Sequence, residues 1–154
     1  MDEKILTRYV KYQNKSYLIR GSGIQLSNFS LKNIYEQNLD EIKIIMCCRL
    51  LKDKGINEYL ELAKSFKDKK YKFFLAGSID LGNPASYSND EIIFLTKESN
   101  IEYLGWIDSG NELKNYDISI CMSYHEGLPR IVLESLYIGL YTISNSLYGL
   151  QPIF

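Results

Sequence analysis

The sequence predicts an α/β domain: a parallel sheet with flanking helices. Three observations predict it. Short runs that are apolar without alternation recur along the chain, as in Ile42–Cys48. A strand buried on both faces has that pattern, and parallel sheets are where such strands occur. Between these runs lie segments with apolar residues at helical spacing, such as Ile56, Tyr59, Leu60, Ala63 and Phe66. Finally, the runs end at residues suited to a ligand-lined rim: Arg49, Gly77, Gly105 and Glu126 each follow a strand. Ligands of open parallel sheets sit beyond the carboxyl ends of the strands, so these four residues are expected to line one crevice.

The elements follow in order. Residues 1–15 are polar and mixed, an irregular or helical lead-in. Ser16–Arg20 reads as a short strand, broken by Gly21-Ser-Gly23. Ile42–Cys48 is the first core strand, and the helix containing Ile56 follows Lys54-Gly55. Lys72–Gly77 is the second core strand, and Asn89–Asn100 the next helix. Ile101–Leu104, closed by Gly105, is the third strand, and Ser109–Tyr116 a short helix. Asp117–Met122 is the fourth strand, Leu128–Gly139 a helix, and Tyr141–Ser144 the last strand.

Composition sets limits. With 154 residues the chain is expected to form one domain with a real core. The net charge of −1 supplies no basic field for nucleic acid or an anionic membrane. No apolar run is long enough to span a bilayer. Cys47, Cys48 and Cys121 lack metal-ligand spacing and read as buried free thiols. The five lysines between Lys64 and Lys72 read as a solvated helix end. Neither Gly-x-x-x-x-Gly-Lys-[Ser/Thr] nor Gly-x-Gly-x-x-Gly is present, so the common NTPase and dinucleotide loops have no signal here.

The run Glu126-Gly-Leu-Pro-Arg-Ile-Val-Leu-Glu134 carries the most chemistry. A strand leads into a Gly-Leu-Pro turn and then a helix start, where open N–H groups and the helix dipole favour phosphate. Pro129 suits the first helical turn, because its missing N–H costs nothing there. Phosphate would repel carboxylates, so Glu126 and Glu134 need other partners. Hydroxyl groups on both sides of a diphosphate, as in a nucleotide-sugar, would serve. Arg49 and Lys54 flank the first crossover, and two fixed cations there suit a diphosphate. Strand-end cations of this kind are expected to add little to folding. Glu134 has two readings. It is either a buried carboxylate that needs donors, which a ribose diol would supply, or a solvent-facing partner of Arg130 at i,i+4. His125 and Ser123 read as loop residues rather than as an acid–base group and a nucleophile.

Together these stretches resemble the C-terminal, donor-binding domain of the retaining GT-B glycosyltransferases of group 1, or family 4. Ile19-Arg-Gly-Ser-Gly-Ile24 with Phe29 resembles the segment after the interdomain linker. Arg49-Leu-Leu-Lys-Asp-Lys54-Gly55 resembles the Arg-x4-Lys phosphate element. Glu102-Tyr-Leu-Gly105-Trp106 resembles the strand and turn near the nucleotide base, and Glu126–Glu134 the Glu-x7-Glu motif. The resemblance implies a Rossmann-like half of a GT-B fold over residues 16–154, with 1–15 as lead-in or linker remnant.

The resemblance also implies roles. Arg49 and Lys54 would hold the diphosphate and stabilise charge on the leaving nucleotide, helped by the amides of Gly127 and Leu128 beside Pro129. Glu126 would bind the donor sugar and Glu134 the ribose, with Gly77, Leu104 and Gly105 on the nucleoside side. No metal or other cofactor is expected, and the donor substrate is a nucleoside-diphosphate sugar. The implied activity is hexosyl transfer to a saccharide acceptor in bacterial surface polysaccharide synthesis. The acceptor domain, normally N-terminal, would be a separately encoded partner, and the family's closing helices are also not accounted for. The expectation is therefore a truncated domain, inactive alone, whose full enzyme is cytoplasmic or peripheral at the inner membrane. The alternatives are a non-catalytic nucleotide-sugar binding module or remnant, and half of a GT-B-like epimerase.

Overall fold

The computed structural model describes residues 23–33 and 40–146. The expected strand at Ser16–Arg20 and the lead-in at 1–15 lie outside these residues. Five strands form one parallel sheet: β1 (Ile42–Cys47), β2 (Tyr71–Ala76), β3 (Ile101–Gly105), β4 (Ile118–Cys121) and β5 (Tyr141–Ser144). Four α-helices connect them: α1 (Ile56–Ser65), α2 (Asn89–Glu98), α3 (Ser109–Glu112) and α4 (Arg130–Ile138). Short 3₁₀ turns occupy Leu26–Asn28, Lys52–Lys54 and Leu113–Asn115. The strand order is β3-β2-β1-β4-β5. The chain winds outward from β1 to β3, then returns to β1's other side with β4. The switch point therefore falls between β1 and β4, which is where such sheets bind ligands.

Both faces of β1 are covered, as the apolar run Ile44–Cys48 requires. Ile44 and Met46 pack with Ile56, Tyr59 and Leu60 of α1 and Ile92 of α2. Ile45 packs the other way, with Leu113, Tyr116 and Ile138 of α4. The Tyr59 hydroxyl donates to the carbonyls of Ile44 (3.0 Å) and Phe74 (2.9 Å), so the buried phenol is satisfied across β1 and β2. The β1–β2 ladder is long, from Ile42 opposite Tyr71 to Cys47 opposite Ala76. The β1–β4 ladder is short, pairing only Ile44 with Ile118 and Ile45 with Ser119.

Helix boundaries depart from the sequence reading for local reasons. α4 starts at Arg130, not Leu128, because Pro129 holds ψ at 121° and stands outside the helix as its N-cap residue. Proline also disfavours helical backbone at the preceding Leu128. α2 stops at Glu98, and Asn100 turns left-handed with φ 56°. Its start carries a capping box: Ser88 accepts the Glu91 N–H, and the Glu91 carboxylate accepts the Ser88 N–H. The expected helix over Ser109–Tyr116 is a single α turn followed by the 3₁₀ turn.

Two glycines let the strand ends come together. Gly55 has φ 75°, and a Cβ there would lie 2.2 Å from the Met122 carbonyl oxygen. Only glycine lets the β1–α1 loop pass this close to the end of β4. At Gly77 a Cβ would meet the Cys48 carbonyl oxygen at 1.8 Å, so the exit of β2 lies directly against that of β1.

Candidate functional site

A cleft of about 550 Å³ opens at the switch point, lined among others by Arg49, Lys54, Ser123, Glu126, Leu128 and Pro129. A smaller cavity of about 230 Å³ adjoins it across the ends of β1 and β2, with Gly77, Ser78, Trp106, Ile107 and Glu134 in its wall. Cys47, Cys48, Arg49 and Ile131 line both. Arg49, Lys54, Glu126, Leu128, Pro129, Gly77 and Glu134 thus divide between two adjoining spaces that share Arg49.

The two cations differ. Lys54 is 6% exposed, held by the turn that precedes Gly55. Its Nζ donates to Glu126 Oε1 at 2.7 Å and lies 3.5 Å from Asp53 Oδ2. Burial by itself would lower the Lys54 pKa. The Glu126 hydrogen bond and the charges of Glu126 and Asp53 outweigh that, so the ammonium is held above its usual range. Glu126 Oε1 also accepts from Ser123 Oγ at 3.2 Å. Ser123 is fixed in turn by Asn145, whose Nδ2 donates to its carbonyl at 2.7 Å. Arg49, by contrast, is mostly exposed and lies 3.6 Å from Asp80. Of the two strand-end cations, Arg49 is thus exposed, whereas Lys54 is buried in the site.

The start of α4 faces the first cleft through Leu128, Pro129, Arg130 and Ile131. No side chain caps it. Among the described residues the Val132 N–H is taken by Pro129 O at 3.1 Å, while no hydrogen bond is made by the N–H groups of Gly127, Leu128, Arg130 or Ile131. Open donors at a helix start favour an anion.

Glu134 joins the two readings that the sequence left open. It is 5% exposed, and Arg130 Nη2 donates to its Oε1 at 3.2 Å. It is thus paired with Arg130 and buried. Gly77 lines the smaller cavity, and its N–H donates to the Gly105 carbonyl at 2.7 Å. Leu104 packs on the Ile45 core cluster, and neither it nor Gly105 lines either cavity. Gly127 sits on the exposed rim of the turn, outside the lining of the main cleft. Sequence reasoning missed Ser78, Ile107 and Asn145, polar or apolar loop residues with no distinctive spacing. It also missed Asp53, whose Oδ1 is buried without a hydrogen-bond partner beside Lys54. Its position between two lysines was the available signal.

Cys47 and Cys48 are half-buried and Cys121 is buried; all are free thiols. Burial pushes all three thiols up, that of Cys48 to about 12, so they stay protonated at neutral pH and unreactive. His125 is exposed in the loop. Among the described residues no three His, Cys, Asp or Glu side chains converge as a metal site. No helix among them is long and apolar enough to cross a membrane.

A doubly wound parallel sheet with a cation-lined crevice at its switch point places the chain among the Rossmann-like α/β domains. The profile of the family "Glycosyl transferases group 1" matches residues 28–154, and the chain belongs to that family. It is 35% identical over 138 residues to a Campylobacter jejuni N,N'-diacetylbacillosaminyl-diphospho-undecaprenol alpha-1,3-N-acetylgalactosaminyltransferase, covering 82% of this chain and 35% of that enzyme. Against the Staphylococcus aureus capsular polysaccharide biosynthesis glycosyltransferase CapM it is 25% identical over 161 residues, covering 97% and 42%. The chain therefore spans about two fifths or less of these relatives. Among solved structures, S. aureus TarM in a complex that includes UDP superposes with TM-score 0.72 at 16% identity, covering 97% of this chain and 29% of TarM. Anabaena HepE in complex with UDP and glucose gives 0.69 at 14% identity, covering 86% and 39%. These likenesses show the fold.

Proposed function

We propose that this chain is the donor-binding part of a glycosyltransferase. The enzyme moves a hexose from a nucleoside-diphosphate sugar to a saccharide acceptor in bacterial surface polysaccharide synthesis. The observation that carries the reading is the convergence of Arg49, Lys54, Glu126 and the uncapped start of α4 on one cleft at the switch point. The name of the capsular polysaccharide biosynthesis relative supports the polysaccharide setting, and the undecaprenol in the other relative's name supports a station at a membrane.

In this reading the diphosphate lies across the α4 start, against Leu128 and Pro129, between Arg49 and Lys54. Lys54 and the α4 amides are held in place before substrate arrives, and Arg49 adds its charge from the exposed side. They stabilise the charge that grows on the leaving diphosphate as the glycosidic bond breaks, without a metal ion. Glu126 meets hydroxyls of the transferred sugar, and Glu134 the ribose in the adjoining cavity. The acceptor is held by a second domain, encoded with this one or separately.

Calorimetry with UDP and GDP, each with and without EDTA, tests the reading. Binding should persist in EDTA at micromolar or weaker affinity, about −8 kcal/mol or less favourable, because one wall of the cleft belongs to the second domain. Strict dependence on a divalent ion, or no heat at millimolar ligand, overturns it. Transfer that appears only when the acceptor domain is added would separate an enzyme half from a non-catalytic binding module.

A further inference from the structure

The structure points to Arg130 as a positioning residue that ties ribose recognition to the diphosphate cleft. This rests on the reading above. We infer that its guanidinium holds Glu134 in register for the ribose while its remaining donors face the phosphates.

The pair is unequal in a way that a surface ion pair is not. Glu134 is 7% exposed at the side chain and Arg130 67%. Glu134 is among the residues that line the nucleoside-side cavity, and Arg130 among those that line the diphosphate cleft. Arg130 Nη2 reaches Glu134 Oε1 at 3.2 Å along one turn of α4. Among the described residues no other hydrogen bond reaches that carboxylate. A buried carboxylate has about four acceptor sites, and one donor leaves it under-satisfied. Two hydroxyls at a fixed spacing would complete it.

A guanidinium is suited to the task because its five donors form a rigid planar fork. One edge can hold the carboxylate while the others meet a phosphate oxygen. A lysine would supply charge without that geometry. Diphosphate binding would then draw the fork into place and with it the carboxylate that reads the sugar. The contacts of one nucleotide would reinforce each other through one side chain.

The experiment uses the full chain and the tighter-binding of UDP and GDP, with its 2′-deoxy counterpart. Titrations are run on wild type, Arg130→Lys, Arg130→Gln and Glu134→Gln, with thermal unfolding to check folding. Wild type and Arg130→Lys should bind the 2′-deoxy form similarly. Wild type should prefer the ribose form about tenfold or more, the effect of one hydrogen bond to a charged group. Arg130→Lys should lose most of that preference. Arg130→Gln should lose the preference and also weaken binding of the 2′-deoxy form about tenfold. Glu134→Gln should lose the preference while keeping binding of the 2′-deoxy form. If Arg130→Lys and Arg130→Gln keep the wild-type ratio, the positioning role is overturned, whatever the change in affinity. If wild type binds neither diphosphate, the donor-site reading fails and this inference falls with it. If wild type binds but does not discriminate, the ribose role of Glu134 fails instead.

Discussion

Two ion pairs frame the cleft, and they are built in opposite senses. In Lys54–Glu126 the cation is buried, at 8% side-chain exposure, and the carboxylate is more open, at 27%. In Arg130–Glu134 the carboxylate is buried and the cation open. The first joins loops 72 residues apart in sequence, and the second spans one turn of one helix. The difference shows which group each site keeps back from water. Beside the phosphate cleft it is the positive charge, and beside the nucleoside cavity the negative one. A shielded ammonium is suited to an anion and a shielded carboxylate to a diol, so in the proposed reading the two sides would sort a nucleotide's parts.

The largest test of this contrast is Gly55→Ala, which attacks the contact that carries Lys54 to Glu126. A left-handed backbone and a Cβ driven into the Met122 carbonyl should cost about 2–4 kcal/mol in urea unfolding. A loss below about 1 kcal/mol would mean that the loop relaxes without strain. Next is Glu126→Ala, which leaves Lys54 buried beside only the more distant Asp53. It should cost roughly 2–3 kcal/mol, and Lys54→Met, which removes the buried charge itself, should cost less. Equal losses would refute the asymmetry. The sign of the pH response follows from the same pair. The Lys54 pKa is raised above its ordinary 10.5, so the pair's contribution is full below that pH and fades as pH rises through the folded-state value. The gap between wild type and Glu126→Ala should therefore narrow above pH 10.5 in unfolding curves.

Arg49→Ala should separate binding from folding. Affinity for UDP or GDP should fall by about 1.5–3 kcal/mol, the range for a charge-assisted contact, with stability changed by less than about 0.5 kcal/mol. Unchanged affinity by calorimetry would remove Arg49 from the diphosphate site. The smallest effect is on the second pair. Arg130→Ala should cost about 1 kcal/mol in urea unfolding, because Glu134 loses its donor but water in the adjoining cavity can reach the carboxylate. A loss as large as that of Glu126→Ala would show that Glu134, too, depends on its cation for folding.

The strands were legible because burial on both faces leaves an apolar run without alternation, as in Ile44–Cys47 and Phe73–Ala76. The Glu126–Glu134 run was legible because residue order alone places a proline and two carboxylates around a helix start. What could not be read was the third dimension. Lys54 looks like a surface lysine until Gly55 folds it under β4. Asn145 lies 22 residues from the Ser123 carbonyl it holds, and only the β4–β5 pairing brings them together. The two readings of Glu134 were each half of the truth, because helical spacing fixes its partner but not the depth of the face it lies on. Leu104 was drawn to the rim by its place beside Gly105, yet the alternation of side chains along β3 turns it onto the core.

The cleft stands over the thinnest seam of the sheet. Six residue pairs join β1 to β2 and four join β4 to β5, but only two join β1 to β4. If the molecule opens locally, this seam is where the fewest ladder bonds resist, so the amides on either side should exchange with solvent sooner than those of the β1–β2 core. A ligand gripped by Arg49 on one bank and the α4 amides on the other would act as a rivet through that seam. Its occupancy would then be readable far from any catalytic event, as slowed deuterium uptake along β4 and the end of β1.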